Sequence, residues 1–350
     1  MFTALENMLN NHRVLDSIVH LILVLLAMAA VFGLALITTV LLIYVERKVW
    51  AYMQVRIGPI RVGPKGILQP VADGLKLLLK EDIIPDNADK LLFRISPIVV
   101  LVPALMAYLV IPFGKGLIVE DLSVGVLYIL SISSVAVLGI IGSGWSSNNK
   151  YSLLGGMRSA AQIVSYEVPV VLALLTAVLQ AGTLSTNGIV TAQAGSFWNW
   201  FAFKPPFHLG IAALVYLVAS LAELNRTPFD LPEAESELVS GYNTEYSGMR
   251  FAFFFLSEWM NLFLLACMAT TLFFGGWHAP VPFLEFGGSR IISFLWFFGK
   301  VWGLMFVVIW IRATYPRFRV DQLMEFSWKV LIPVSLVLIL ITAGLRLVWH

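Results

Sequence analysis

The chain has 350 residues, of which 59% are hydrophobic and 13% charged, with a net charge of +2 and a mean hydropathy of +0.85. A soluble domain carries about 25% charge, so this composition cannot cover its own surface in water, and lipid is its natural solvent. One cysteine, Cys267, excludes a disulfide framework, a thiolate zinc site and an iron–sulfur cluster held by this chain alone.

Eight apolar runs are long enough to cross a hydrocarbon core of about 30 Å. Their expected limits are 18–44, 97–113, 122–141, 159–179, 207–221, 251–274, 291–311 and 330–348. The first run is too long for a signal-peptide core, no small-residue cleavage pattern ends it, and it is expected to be retained. Run length points to helices rather than barrel strands. The expected fold class is therefore an all-α integral membrane protein, a single transmembrane domain over 1–350.

Between the first two spans, Gly66–Glu81 differs in kind. Ile67, Leu68, Val71, Leu75, Leu78 and Leu79 fall on one helical face and Gln69, Asp73, Lys76 and Lys80 on the other. The spacing predicts a lateral amphipathic helix in the membrane interface, with a surface helix packed on a partner protein as the alternative.

With eight spans, one set of connections holds seventeen Lys/Arg residues, while the opposite set, with the termini, holds five; Lys300 is left inside a span. The rich side belongs in the cytoplasm, or the matrix of an organelle, so both termini are expected to face outward. Three charges fall where lipid should be. Glu167 and Glu258 lie about 12 Å below the inner surface, and Lys300 about 18 Å. Each costs roughly 2.5–3.5 kcal/mol at a helix centre. Charges of mixed sign at similar depth pair or line a hydrated cavity. Two readings follow: a proton-conducting or charge-coupling path, or a buried ion pair that holds the helices in register.

The connection between the fifth and sixth spans carries Glu223, Asp230, Glu233, Glu235, Glu237 and Glu245 against Arg226 and Arg250, stiffened by Pro228 and Pro232 and anchored by Phe229 and Leu231. It lacks the Asp/Asn/Gly spacing of a calcium loop; an acidic loop docked on a basic partner is the competing reading. The histidines at 12, 20, 208, 278 and 350 all fall toward the outer side or the termini, where no pair can ligate a haem across two helices. No phosphate-cradling glycine motif is present. If the chain serves redox chemistry, another subunit carries the electrons.

Four inward segments carry a resemblance. They are YVERKVWAYMQVRIGPIRVGPKGILQPVADGLKLLLKE (Tyr44–Glu81), GWSSNNKYSLLGGMRSAAQIVSYEV (Gly144–Val168), AELNRTPFDLPEAESELVSGYNTEY (Ala222–Tyr246) and WIRATYPRFRVDQLMEFSWK (Trp310–Lys329). In order and spacing the chain resembles the family formed by the H subunits of bacterial complex I (proton-pumping NADH:quinone oxidoreductase) and their mitochondrial counterpart, NADH dehydrogenase subunit 1. That resemblance implies eight transmembrane helices plus the lateral helix, and the membrane end of a quinone chamber. The substrate would be ubiquinone or menaquinone. FMN and iron–sulfur clusters would lie in partner subunits, including the peripheral-arm quinone-site subunits, beside neighbouring membrane subunits, the bilayer and no nucleic acid. Glu46, Arg47, Gln54 and Arg56 match the quinone access segment. Arg226 and Asp230, with Arg312, Arg317, Arg319 and Asp321 of the last inward loop, join them around the chamber. Glu223, Glu233, Glu235, Glu237 and Glu245 match an acidic funnel. Glu167, in a Ser-Tyr-Glu motif, and Glu258 would couple quinone reduction to proton translocation, and Lys300 is grouped with them by its depth. Ala234, where some members carry glycine, and the long N-terminus match bacterial members, which implies a bacterial inner membrane with periplasmic termini ahead of a mitochondrial one. The third span lacks an acidic residue that some relatives place there. A membrane subunit of a membrane-bound hydrogenase and a stand-alone proton-coupled transporter are the alternatives.

Overall fold

The computed structural model describes residues 2–231, 239–281, 283–284 and 289–348, with residues 2–18 by backbone alone. The regular elements among them are helices: α1 (Phe2–Met53), α2 (Gln69–Leu79), α3 (Lys90–Met106), α4 (Gly125–Ser133), α5 (Val135–Ser146), α6 (Lys150–Ala181), α7 (Thr186–Thr191), α8 (His208–Glu223), α9 (Gly248–Phe273), α10 (Arg290–Thr314), α11 (Val320–Phe326) and α12 (Ile332–Val348). Seven are long and apolar enough to cross a membrane when α4 joins α5 and α11 joins α12. The eighth expected span is α8, an apolar helix of 16 residues, about 24 Å long. Ala212, Ala213, Ala219 and Ala222 are buried on it, small residues that let neighbouring helices approach closely.

Helix limits follow local chemistry. Asp89 caps α3, its carboxylate accepting from the Leu91 and Leu92 amides, so the helix begins seven residues before the apolar run expected at 97. Asn149 caps α6 through the Tyr151 amide, and Gly182, at φ +77°, ends it in the left-handed conformation that glycine adopts without strain. A π turn over Ser327–Leu331 joins α11 to α12. Pro333 follows it and has no N–H for the helical ladder, and two bonds hold the turn to α6: Ser327 to the Ser165 carbonyl and the Tyr166 hydroxyl to the Leu323 carbonyl, each 2.8 Å.

The bundle is organised around α9. In the most apolar stretch of α9, 61% of residues are buried, against 11% in α1, so α9 is the axis and α1 lies at the edge with Leu21, Leu23, Leu25 and Leu26 exposed. The amphipathic expectation for the segment after α1 appears as α2, whose Val71, Leu75 and Leu78 are exposed. Its polar face is tied to α1 by Arg47, 2.5 Å from Asp73, which also accepts from Gln69 at 3.1 Å. The loop ahead of α9 is pressed against α6: a Cβ on Gly155 would lie 2.5 Å from the Gly241 Cα, so only glycine fits there.

Candidate functional site

At one end of the bundle four charged side chains from four segments meet. Glu46, on the last turns of α1, is 6% exposed; Arg226, in the loop after α8, is 1% exposed. Glu46 faces two cations, Arg312 of α10 at 2.8 Å through Oε1 and Arg226 at 3.5 Å through Oε2. Arg226 turns its Nε to Glu258 Oε1 on α9 at 2.9 Å and lays its guanidinium 4.0 Å above the Trp259 ring. Arg312 sits 4.9 Å from the Trp50 ring. Two carboxylates and two guanidiniums thus alternate, which is the condition for keeping such charges out of water. Asp230 extends the group through Arg317 at 3.0 Å. Burial raises the Asp230 carboxyl above its ordinary range, against the lowering pull of Arg317 and Arg312, while Glu258 raises it further.

Two cavities flank this cluster. One, of about 300 Å3, lies between α1, α9 and α10, with Glu46, Arg47, Trp50, Phe255, Trp259 and Arg312 in its wall. Its flat aromatic faces and convergent charges suit a planar, polar-edged ring. The other, of about 120 Å3, lies deeper among α4–α6, α8 and α9, and its wall holds Glu167, Glu223 and Glu258 with Ser220, Asn225 and Asn261. Glu258 and Phe254 line both. The break between α4 and α5 falls at Ser134, whose hydroxyl bonds Glu167 as well as the Leu130 carbonyl.

The structure brings Glu46, Arg226, Glu258 and Arg312 together, joins Asp230 to Arg317, and gathers Glu167, Glu223 and Glu258 around one cavity. Arg47 lines the first cavity while paired to Asp73. Gln54 and Arg56 bond each other at the exposed surface. Arg319 and Asp321 are exposed and 3.8 Å apart. Glu245 accepts from Asn149 at 2.6 Å, beside the cap of α6. Glu233, Glu235 and Glu237 lie outside the described residues. The expected grouping of Lys300 with Glu167 and Glu258 is corrected. Lys300 donates to the carbonyls of Phe274, Gly276 and His278 at 2.7, 2.9 and 2.7 Å, and its ammonium is 3.8 Å from the Trp200 ring. Phe274 is sixteen residues along from Glu258, so the two sites are about 24 Å apart on the α9 axis. The physical reason is the C-terminus of α9, whose last carbonyls lack helical partners and attract a cation.

Sequence reading missed Trp50, Trp259, Ser134 and Asn261. The two tryptophans had a signal, since each neighbours a charged site residue on its helix. Ser134 and Asn261 had none beyond being polar in an apolar run.

Such an arrangement defines a polytopic membrane protein with a charged chamber at one end joined to a polar cavity inside the bundle. A family model described as NADH dehydrogenase matches residues 25–343, and the chain belongs to that family. It is similar to the NADH-quinone oxidoreductase H subunit of Geobacillus kaustophilus, 52% identical over 326 residues, covering 91% of this chain and 94% of the relative. It is likewise similar to the H subunit of Bacillus thuringiensis, 53% identical over 87% of this chain and 88% of the relative. The second H subunit of Geobacter metallireducens is 46% identical over 92% of this chain and 95% of the relative.

Proposed function

We propose that this chain is the membrane subunit of a proton-translocating NADH:quinone oxidoreductase that forms the membrane part of the quinone chamber and couples quinone reduction to proton movement. The observation that carries the reading is Glu258, which faces the aromatic chamber, the three-glutamate cavity and Arg226 at once. Electrons reach the quinone from iron–sulfur clusters of partner subunits. Adding two electrons to a quinone draws in two protons to make the quinol. Glu46, Arg226 and Glu258 hold charge beside the chamber, and a change there alters the balance at Glu258 and hence the protons held at Glu167 and Glu223. The surface residues Gln54, Arg56, Arg319 and Asp321, with Glu233, Glu235, Glu237 and Glu245, belong on this reading to the face that meets the peripheral arm. The names of the relatives give no support to a hydrogenase component or a stand-alone transporter. The chain crosses a bacterial inner membrane eight times, α8 included, as one domain with both termini periplasmic, and takes ubiquinone or menaquinone.

The test uses the intact complex in liposomes. Glu258→Gln keeps the size and removes the charge. NADH-driven pumping is expected to fall more than tenfold while the complex assembles and a photoreactive quinone still labels peptides carrying Trp50 and Trp259. Undiminished pumping in that variant, or labelling confined to partner subunits, overturns the reading.

A further inference from the structure

Far from the chamber, at the ends of α6, α8 and α12 that the Lys/Arg asymmetry places outward, three basic side chains converge. Lys204, His208 and Arg346 line a cavity of about 280 Å3 with Gln180, Pro205 and Leu345, and no acidic side chain appears among the described residues of its wall. Each cation is placed by local structure. Arg346 Nη1 donates to the carbonyl of Leu179 in the last turn of α6, which fixes the guanidinium at the rim. The Phe207 amide bonds the Lys204 carbonyl at 2.9 Å, closing a tight turn that sets Lys204 beside the start of α8. Lys204 meets no carboxylate among the described residues.

His208 is the more telling group. It is 8% exposed, and neither ring nitrogen has a hydrogen-bond partner. A buried imidazole left unbonded costs free energy that a ligand at the cavity would recover. It also stands at the first position of α8, where helical amides lack partners and the helix dipole favours negative charge. From the cavity an apolar strip runs along the bundle surface: Phe207 just before α8, Ile211 and Leu214 of α8 and Leu347 of α12 are all exposed.

We propose that this cavity binds a phosphate-ester anion, the headgroup of an anionic phospholipid of the outward leaflet. Lys204, His208 and Arg346 supply the donors, and the acyl chains lie along Ile211 and Leu214. The apolar strip favours a lipid over free phosphate, since inorganic phosphate has no use for it. The proposal rests on the membrane reading and is independent of the quinone chamber.

The test is hydrogen exchange by mass spectrometry on the purified, delipidated complex in detergent, read at peptides covering 204–214 and 340–348. Phosphatidylglycerol, phosphatidylcholine and inorganic phosphate are added separately. Phosphatidylglycerol is expected to slow exchange at both peptides, and Lys204→Gln to require roughly tenfold more of it, as for one lost charge-assisted contact. NADH:quinone turnover of that variant stays at the parent level, which separates failure of this site from failure of the chamber. Protection by inorganic phosphate alone keeps the anion site and overturns the lipid assignment. Equal protection by both lipids, protection undiminished in Lys204→Gln, or protection by none of the three overturns the site itself.

Discussion

Two cations inside the bundle, Arg226 and Lys300, share a feature and differ in what surrounds them. Each lies over a tryptophan ring, Trp259 at 4.0 Å and Trp200 at 3.8 Å. Arg226 pairs with the carboxylates of Glu46 and Glu258, whereas Lys300 donates three hydrogen bonds to backbone carbonyls. Carboxylates gain and lose protons; carbonyls do not. The Arg226 end of the molecule therefore responds to a charge arriving beside it. The three Lys300 bonds clamp the turn after α9, about 24 Å along the axis from Glu258 and the chamber. An ammonium with three donors suits a ring of carbonyls, and a planar guanidinium suits carboxylates approaching from two sides.

The sharpest way to break this contrast is Arg226→Met. It leaves half-buried Glu258 without this cation and Glu46 with Arg312 alone, a loss of up to about 3–5 kcal/mol, the cost of a broken buried pair. Quinone reductase activity is expected to fall more than tenfold and assembled complex to decrease. Adding Glu258→Gln to Arg226→Met should restore part of the assembly, because the charge left without its cation is then removed. Blue-native gels with NADH:quinone assays read both. Additive losses would mean that Arg226 and Glu258 do not act as a pair.

Lys300→Met should fall on the other side. Three carbonyls lose their donor at the end of α9, at a cost of roughly 2–3 kcal/mol in total. The assembled complex is expected to melt lower, while pumping per NADH oxidised in the surviving complex is unchanged. Lys300→Arg should recover little, since a planar fork cannot reproduce the three-way arrangement. Lost pumping with normal melting would instead place Lys300 on the coupling path and end the contrast.

The error over Lys300 shows where sequence stops being informative. Depth along a helix was legible, since rise per residue is fixed and the flanking basic residues mark the inner surface. What surrounds the side chain was not. Lys300 is ten residues from Arg290 and twelve from Arg312, nearly equidistant from both ends of α10, so the count could not say which end its long side chain would reach. Its partners come from the turn after Phe273, a segment with no charge to advertise them. Glu258 was legible from the cost of a charge in an apolar run, and Glu46, Arg226 and Arg312 from the inward motifs that carry the family resemblance. Their convergence was not, because it depends on how α1, α9 and α10 pack. The helical spans were legible from apolar length alone, but their limits shifted wherever a polar cap such as Asp89 extended a helix past its apolar run.

The smallest expected effect sharpens the contrast through pH. Burial holds the Asp230 carboxyl above its ordinary range, and Arg317 and Arg312 oppose that rise. Arg317→Leu removes the larger opposing influence and a 3.0 Å partner, so the Asp230 pKa moves up again. The sign for stability follows. A carboxyl whose folded pKa exceeds its unfolded value stabilises the fold while protonated, and that contribution is lost as pH rises through the folded pKa. The variant should therefore lose stability relative to the parent as pH rises out of the carboxylate range toward neutrality, and keep it in acid. If ionised Asp230 supports turnover, the acid limb of the NADH:quinone rate moves toward neutral pH by the same step. Lys300→Met, about 24 Å along α9 from Glu258, should leave that limb where it is. The comparison needs only pH–rate profiles of the parent and the two variants in one membrane preparation. An acid limb that shifts equally in both variants would show that the two cations answer to one titrating network, and the distinction between a responsive inner cluster and a fixed outer clamp would have to be given up.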